Sequence, residues 1–323
     1  MNGRHFLVVT GLLTVTAVAA AGAMAWLGSE GIGPVPLREQ CLAKAGPTEV
    51  ELDLDQAENA AIIAGVATRR GLPVRAVTVA LATAYQESDL RNLNHGDRDS
   101  LGLFQQRPSQ GWGTATQVRD PHYAAGKFYD ALVKIKGYEK LAVTVAADKV
   151  QRSAFPDAYA DHADDAAVIA SSLTGQVAAA FTCVVRHGGY APEQLGANGL
   201  TPRADAVRKN LIETFGKLPT GGYAAGGVRS GHMEGSAHYD GRAVDVFVRP
   251  ISKANTRKGW VYANYLVAHA EKLGITTVIF SDKIWTSGTR SSSGWREYKA
   301  PQRAGNNDTL RHLDHVHVDV AED

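Results

Sequence analysis

The chain has 323 residues, enough for two domains. Its formal net charge is +1 at pH 7, with 21% charged residues and no prominent basic run. This balance argues against a dedicated nucleic-acid binder, and the remaining composition is that of an ordinary globular protein.

The N-terminus carries an uncharged apolar stretch at residues 6–28, directly after Arg4 and His5. A stretch of this length can span a bilayer, and the preceding positive charge is typical of a cytoplasmic end. Ala23-Met24-Ala25 also provides a small-x-small cleavage signal. Residues 1–28 are therefore predicted to be a signal peptide or an uncleaved membrane anchor. The rest of the chain is predicted to be extracytoplasmic, beginning with a short linker at 29–40.

The sequence contains only two cysteines, Cys41 and Cys183. In an exported protein this number indicates one disulfide, and the alternative is two buried free thiols. The disulfide would close a loop of about 140 residues, which restricts the unfolded chain. The two cysteines also mark the ends of a first domain, predicted at 41–187.

Alanine-rich runs within this first domain carry apolar residues at helical spacing, and Gly-Leu-Pro at 71–73 separates the first two of them. The predicted helices cover residues 56–68, 74–87, 122–136 and 164–180. Strand signals are weak here. The pattern predicts a mainly α domain.

Glu87 follows a strongly apolar helix and precedes a polar loop that leads to the segment 100–106. Desolvation at such a place can raise the pKa of a carboxyl group, so that it donates a proton near neutral pH. Position alone nevertheless favours an ordinary exposed residue at a helix end.

Glu87-Ser88 followed by Gly102-Leu103-Phe104-Gln105 resembles the lysozyme-like lytic transglycosylases, over about residues 50–185. The resemblance implies a lysozyme-like fold in which Glu87 is the catalytic acid and then the base on the glycan strand. It also implies that Ser100 and Gln105 bind substrate.

The later Ala-Tyr-Asn-Ala-Gly of that family is absent, and its nearest remnant is Asp157-Ala158-Tyr159-Ala160. Tyr159 is predicted from this remnant to contact substrate. No second carboxylate can be assigned a partner role, although glycosidases normally use two. The domain therefore either cleaves glycan with one glutamate or binds glycan without cutting it.

A second domain is predicted at 198–323, after a linker at 188–197 that is rich in glycine. Thr201 and Pro202 form an N-cap with proline at the first helical position, which predicts a helix to about Phe215. Strands are predicted near 243–248 and 276–280, with a helix at 260–273 between them. The second domain is therefore predicted to be α+β.

Two segments of this domain each contain half of a potential metal site. Near the C-terminus, valines alternate with His315, His317 and Asp319, which predicts a half-buried strand with both imidazoles on one face. Upstream, Asp245 stands in an apolar run, where a carboxylate is rare unless something pairs with it. His238 and Asp245 on the first segment and His315 and His317 on the second are the candidates: two ligands from one segment and one from the other would supply the three that a catalytic zinc ion needs. The alternative is a set of surface histidines.

His-x6-Asp followed by His-x-His resembles the zinc metallopeptidases that include D-Ala-D-Ala carboxypeptidases and dipeptidases, murein endopeptidases and the hedgehog signalling domain. The resemblance covers roughly 198–323. It implies that one zinc ion is held by three ligands, which are His238, Asp245 and His317.

The same resemblance implies that His315 lies beside the metal as an acid/base group. His312, in the spacing His-x2-His-x-His, makes the segment similar to the endopeptidase branch, and it is predicted to be catalytic together with His315 and Asp314. Many members instead carry Glu-x-x-His, and this chain has no glutamate at that point. The general base therefore stays open between His315 and Asp314.

Trp285 ends another apolar strand, and such an aromatic residue either packs in the core or forms a wall of the cleft, where it would bind substrate. Taken together, these features predict an exported enzyme of peptidoglycan, with zinc-dependent hydrolysis of a stem-peptide amide and Glu-dependent cleavage of the glycan strand. Its expected partners are glycan strands, stem peptides and, if residues 6–28 are uncleaved, the membrane. The alternatives are a zinc peptidase whose first domain only binds glycan, and a non-catalytic cell-wall scaffold.

Overall fold

The computed structural model describes residues 38–153, 156–186, 188–302 and 307–322. The apolar segment 6–28 and nearly all of the predicted linker 29–40 lie outside these ranges. Among the described helices, none combines the length and the apolar character needed to cross a membrane.

Residues 40–184, here called the N-terminal lobe, combine helices with a small sheet. The helices are α1 (Leu54–Arg69), α2 (Val74–Ser88), α3 (Ala115–Val118), α4 (Pro121–Leu132), α5 (Val143–Gln151) and α6 (Ala163–Leu173). The strands β1 (Gln40–Ala45), β2 (Thr48–Leu52) and β3 (Phe181–Val184) form an antiparallel sheet in the order β2-β1-β3. The mainly helical character agrees with the sequence prediction, whereas this sheet was not predicted.

Local signals account for the helix ends of the N-terminal lobe. Asp53 and Gln56 form a capping box at the start of α1, and the Asp53 amide donates to the Gln56 side chain at 2.9 Å. Helix α2 ends where Asp89 adopts a left-handed conformation, with φ of 54°. The helix predicted to reach residue 180 ends at Leu173, because Gly175 turns the chain with φ of +64°.

The predicted disulfide is present between Cys41 and Cys183. The two residues lie directly opposite each other in β1 and β3, and both are buried. The bond therefore joins the first and last strands of the N-terminal lobe, which are 142 residues apart in the sequence.

Residues 200–322, here called the C-terminal lobe, place helices against a larger sheet. The helices are α7 (Pro202–Phe215), α8 (Lys253–Ala268) and α9 (Ala270–Leu273). The strands are β4 (Thr220–Gly221), β5 (Ala243–Phe247), β6 (Ile275–Phe280), β7 (Lys283–Thr286), β8 (Arg296–Glu297) and β9 (His315–Val320). They form one antiparallel sheet in the order β4-β5-β9-β6-β7-β8, so that the last strand of the chain lies near the middle.

The two lobes share a core, and Glu39–Asp323 form a single compact unit. Helix α1 packs against α7 and α8, and α8 also packs against α6 and β3. Polar contacts cross the same junction: the Asn264 side chain donates to the Ser172 carbonyl at 2.8 Å, and the Trp295 indole donates to the Phe181 carbonyl at 2.8 Å. The two predicted domains therefore correspond to lobes that are packed against each other.

Gly65 allows α1 to approach α7 closely. A Cβ atom at this position would lie 2.3 Å from Cγ2 of Thr214. Thr214 cannot easily turn away, because it is fully buried and its hydroxyl lies 2.8 Å from His122 Nε2 and 2.7 Å from the Tyr265 hydroxyl.

We expect Gly65→Ala to lower the free energy of unfolding by about 1–3 kcal/mol, since overpacking outweighs the better helix propensity of alanine. Gly126→Ala is the matched control, because Gly126 is also helical and its Cβ would meet only Arg70 Nη1, at 3.9 Å. The control should raise the free energy of unfolding by roughly 0.5–1 kcal/mol. Urea denaturation followed by circular dichroism measures both, and equal effects would contradict close packing of the lobes.

Candidate metal centre

Strand pairing brings Asp245 and His317 together. In the antiparallel register of β5 with β9, Asp245 lies opposite His317. Directly opposite residues point to the same face of a sheet, so the carboxylate and the imidazole meet there. Val316 and Val318 point to the other face and are buried in the core. The half-buried strand predicted from the alternation of valine and histidine is therefore present.

His238 reaches the same place from a tight turn just before β5. The turn is closed by hydrogen bonds from the Gly241 amide to the His238 carbonyl and from the Arg242 amide to the Ala237 carbonyl, at 3.2 and 2.9 Å. The imidazole Nδ1–H donates to the Gly222 carbonyl at 2.7 Å, which leaves Nε2 as an acceptor facing the pair. Gly222 is required because a Cβ there would lie 2.2 Å from His238 Cε1, and because its φ is +82°.

The three side chains present one ligand atom each to a common centre. His238 Nε2 lies 3.1 Å from His317 Nδ1 and 3.3 Å from Asp245 Oδ1, and the last two atoms are 3.0 Å apart. In a tetrahedral zinc site with ligands about 2.0–2.1 Å from the ion, the ligand atoms lie about 3.3 Å apart. His238, Asp245 and His317 therefore can hold a metal ion, and they are all buried.

The charges of this centre also suit a cation. Burial alone would raise the pKa of Asp245, but the adjacent His238 and His317 imidazoles hold it well below its ordinary value. Burial alone would lower the pKa of His317, but Asp319 and Asp245 raise it to about 10. Asp319 and Asp245 thus favour a protonated, positively charged His317. A bound metal ion would replace that proton and supply the positive charge.

Asp319 is a member of the site that the sequence analysis did not assign. Its Oδ1 lies 2.7 Å from Nε2 of His317, the ring nitrogen that faces away from the other ligands. Carboxylates in this position orient a ligating histidine and select its tautomer. The alternation in β9 could have identified it, because a period of two places Asp319 on the same face as His315 and His317.

His315 lies beside the three ligands, and Asp314 lies behind it. His315 Nδ1–H donates to Asp314 Oδ1 at 2.7 Å, while Nε2 is 3.7 Å from Asp245 Oδ1. The other carboxylate oxygen of Asp314 accepts from Arg249 Nε at 2.8 Å. Asp314 is therefore engaged on both oxygens and holds the His315 ring. Of the two candidates for the general base, this geometry favours His315.

His312 and His232 complete the histidine cluster. The His312 ring centroid lies 4.6 Å from that of His315, and burial together with the charges of His315 and His317 lowers its pKa to about 3. His232 stacks on His238 at 3.9 Å between ring centroids. Its own role could not be assigned from the sequence.

All of these histidines line one pocket with a volume of about 360 Å³. The glycine-rich segment 231–236 forms one wall, and Tyr298 with Leu310 contributes another. A pocket of this size lies within the range of sites that bind small ligands.

Trp285 is not part of this pocket. It is fully buried, and its indole N–H donates to the Cys183 carbonyl at 3.1 Å, in the junction between the lobes. The prediction that it forms a wall of the cleft and binds substrate is therefore corrected: this large apolar ring packs in the core, and its N–H has a hydrogen-bond partner there.

In the N-terminal lobe, Glu87 is the penultimate residue of α2 and is partly exposed. The Tyr159 hydroxyl donates to Glu87 Oε1 at 2.7 Å. Ser88 Oγ donates to the Leu103 carbonyl at 2.7 Å, and Gln151 Nε2 donates to the Phe104 carbonyl at 2.7 Å. The Ser88 bond attaches the segment 102–105 to the end of α2, and the Gln151 bond attaches it to the end of α5, so this segment lies beside Glu87 and Tyr159.

Ser100 lies in the loop just before this segment, and Gln105 is its last residue. Ser100 is buried, and its amide donates to the Asp97 carbonyl at 3.0 Å. Gln105 has a φ of 45°, and its side chain donates to the carbonyls of His95 and Gly102 at 3.3 and 3.2 Å. Both residues shape the loop, and substrate binding by either stays a prediction.

Comparison with known families gives one match: a family model described as VldE, C-terminal domain matches residues 196–311. The matched region is less than half of the chain. It contains His238 and Asp245 and stops before His312. No curated protein matches the chain.

We expect Asp319→Asn to weaken zinc affinity by about 10- to 100-fold while leaving all three ligands in place, because the carboxylate beside His317 Nε2 is lost. Competition with a chromophoric zinc chelator measures the change. Asp161→Asn, an exposed residue of the other lobe, is the control and should leave the affinity unaltered. An unchanged affinity in Asp319→Asn would exclude an orienting role for this carboxylate.

Proposed function

We propose that this protein is a zinc peptidase that hydrolyses an amide in the peptide stems of peptidoglycan, with a lysozyme-like lobe that engages the glycan strand. The observation that carries the peptidase proposal is the convergence of His238, Asp245 and His317 at tetrahedral spacing beside the His315–Asp314 pair. The resemblance of the same residues to the zinc metallopeptidases supports the choice of substrate class.

When bound, a zinc ion lowers the pKa of a water molecule and polarises an amide carbonyl, so that hydrolysis proceeds without a covalent intermediate. The protein itself must then move protons. His315 is placed for this work, because its Nε2 faces the ligand cluster while its Nδ1–H is held by Asp314. Nε2 would accept a proton from the attacking water and return it to the leaving amine.

Asp314 would keep His315 in the productive tautomer and stabilise its protonated form. Burial alone would raise the pKa of Asp314, but His315 and then Arg249 lower it, so the group stays anionic. Arg249 also lies over the Phe247 ring, at 4.2 Å from its centroid, which holds the guanidinium in place. Asp314, Arg249 and Phe247 thus contact one another in series and hold His315 in place.

We expect His315→Ala to lower the turnover number by about 10²- to 10⁴-fold, the usual contribution of a general acid/base. Zinc affinity should change only slightly, because His315 is outside the ligand set. The assay incubates the full-length protein with isolated peptidoglycan, separates the products by mass, and repeats the reaction with a chelator and with zinc restored. A zinc-loaded wild-type protein that releases no peptide fragment would sink the peptidase proposal and favour a cell-wall scaffold.

A second activity, cleavage of the glycan strand, is favoured by the position of Glu87. Its Oε1 accepts from Tyr159, which is fully buried and comes from the remnant of the family motif. This bond fixes one carboxylate oxygen and leaves the other available to a glycosidic oxygen. One carboxyl group fixed in this way is sufficient for a lytic transglycosylase reaction, in which the same group acts first as acid and then as base.

We expect Glu87→Gln to abolish the release of sugar fragments with anhydro ends, because the amide can neither donate nor accept the proton. Release of peptide fragments should continue at the wild-type rate, and glycan release should resist the chelator. The same mass analysis scores both bonds. If the wild-type protein already yields no sugar fragments but binds isolated glycan strands, the N-terminal lobe is a binding module.

A further inference from the structure

A second cavity, with a volume of about 610 Å³, lies at the junction of the lobes. Helix α1, the loop after α2 and the start of α4 form one side, and α7 and α9 form the other. No residue is common to the linings of this cavity and the metal pocket. It is therefore a separate feature of the molecule, beyond the proposed function.

Acidic groups dominate the charge of this cavity. Four carboxylates face a single lysine in its lining, and the members are Asp55, Glu58, Asp120, Glu213 and Lys272. Asp55 pairs with Arg91 at 2.6 Å, and Glu58 pairs with Lys272 at 2.9 Å.

The other two carboxylates, Asp120 and Glu213, have no lysine or arginine ion-pair partner within the part of the chain that the structure describes, and Asp120 lies only near His122. Asp120 is occupied in part, because it caps α4 by accepting from the amides of His122 and Tyr123 at 2.9 and 3.5 Å. Among the described residues, no hydrogen-bond donor reaches the Glu213 carboxylate, although its backbone carbonyl accepts from Arg69. Both carboxylates are solvent-exposed, so this side of the cavity carries negative charge that is open to a cation.

His269 provides an independent sign of a missing ligand. It is fully buried and lines the cavity. Its Nδ1–H donates to the Tyr265 carbonyl at 2.9 Å, so Nε2 carries a lone pair, and this atom has no hydrogen-bond partner among the described residues. A buried polar atom without a partner is rare, because its lost hydration is not replaced.

The neighbouring His122 is held in a defined tautomer. The Tyr265 hydroxyl donates to Asn210 Oδ1 at 2.7 Å, so the Thr214 hydroxyl donates to Tyr265, and His122 Nε2–H donates to Thr214. His122 Nδ1 is then an acceptor, 3.6 Å from Asp120 Oδ1. Burial lowers the pKa of His122, and it lowers that of His269 to about 3, so both rings are neutral acceptors.

The arrangement does not suit a bare metal ion. Among the described residues, the three ligands of the metal centre are the one group whose atoms lie within 4.8 Å of one another. The acceptors here are spread around a larger space, so a ligand with several separated donors is needed to reach them. Primary ammonium groups donate three hydrogen bonds and pair strongly with carboxylates.

We propose that this cavity binds a small organic cation that carries primary ammonium groups. One ammonium group would lie against Glu213 and Asp120, and a further N–H donor would reach Nε2 of His269. Because the lining comes from both lobes, such a ligand would bind to the assembled junction and stabilise it.

The test is calorimetric titration of the full-length protein with cadaverine, a flexible diamine, alongside its diacetylated form. Saturable binding of cadaverine that weakens at high salt is expected, with no binding of the diacetylated form, since acetylation removes both charges. The melting temperature should rise with cadaverine. Absence of saturable binding, or equal binding of the two compounds, would overturn the proposal.

Glu213→Gln should weaken cadaverine binding by about tenfold or more, the loss expected for one charge-assisted hydrogen bond. Glu139→Gln is the matched control, because Glu139 is an exposed glutamate outside the cavity. Asp245→Asn reports on binding at the metal pocket instead. The assignment would be rejected if wild type and Glu213→Gln bound cadaverine with equal affinity, or if Asp245→Asn lost cadaverine binding. Saturable binding of calcium chloride in place of cadaverine would also reject it.

Discussion

The metal centre depends on the antiparallel register of β5 against β9. This register places Asp245 opposite His317 on one face, while the valines of β9 enter the core on the other. A slip of one residue would exchange the faces, exposing valine and burying both histidines in the core. Packing of the sheet and assembly of the site therefore depend on the same register.

Buried carboxylates around the histidines give the site its chemical character. Asp245 and Asp319 contact the two nitrogens of His317, and Asp314 contacts His315 on the side away from the ligands. Isolated buried charges would be costly, but here each carboxylate has a cationic or donor partner. The same contacts orient the two rings differently: Asp319 and Asp245 hold His317 as a potential metal ligand, and Asp314 holds His315, to which we assign proton transfer in the proposed function.

The junction between the lobes is built by close packing as well as by polar contacts. Gly65 admits α7 next to α1, and the Cys41–Cys183 strand pair lies against residues of the larger sheet through Trp285. The acidic cavity lies in the same junction. A molecule that binds there would contact both lobes at once and would therefore stabilise their association.

The amino-acid sequence by itself determined the long helices, the alternating strand β9, the disulfide partners and the three potential ligands, because periodicity and ligand spacing are local properties. It missed the small sheet, since β1 and β3 pair across most of a lobe and their strand signals are weak. Only the tertiary structure decided that Trp285 is core, that Asp314 supports His315, and that Asp319 and His269 face their respective sites. Those outcomes depend on which side chains, distant in the sequence, are buried next to one another. Their hydrogen-bond partners therefore leave no regular spacing in the sequence by which they could be predicted.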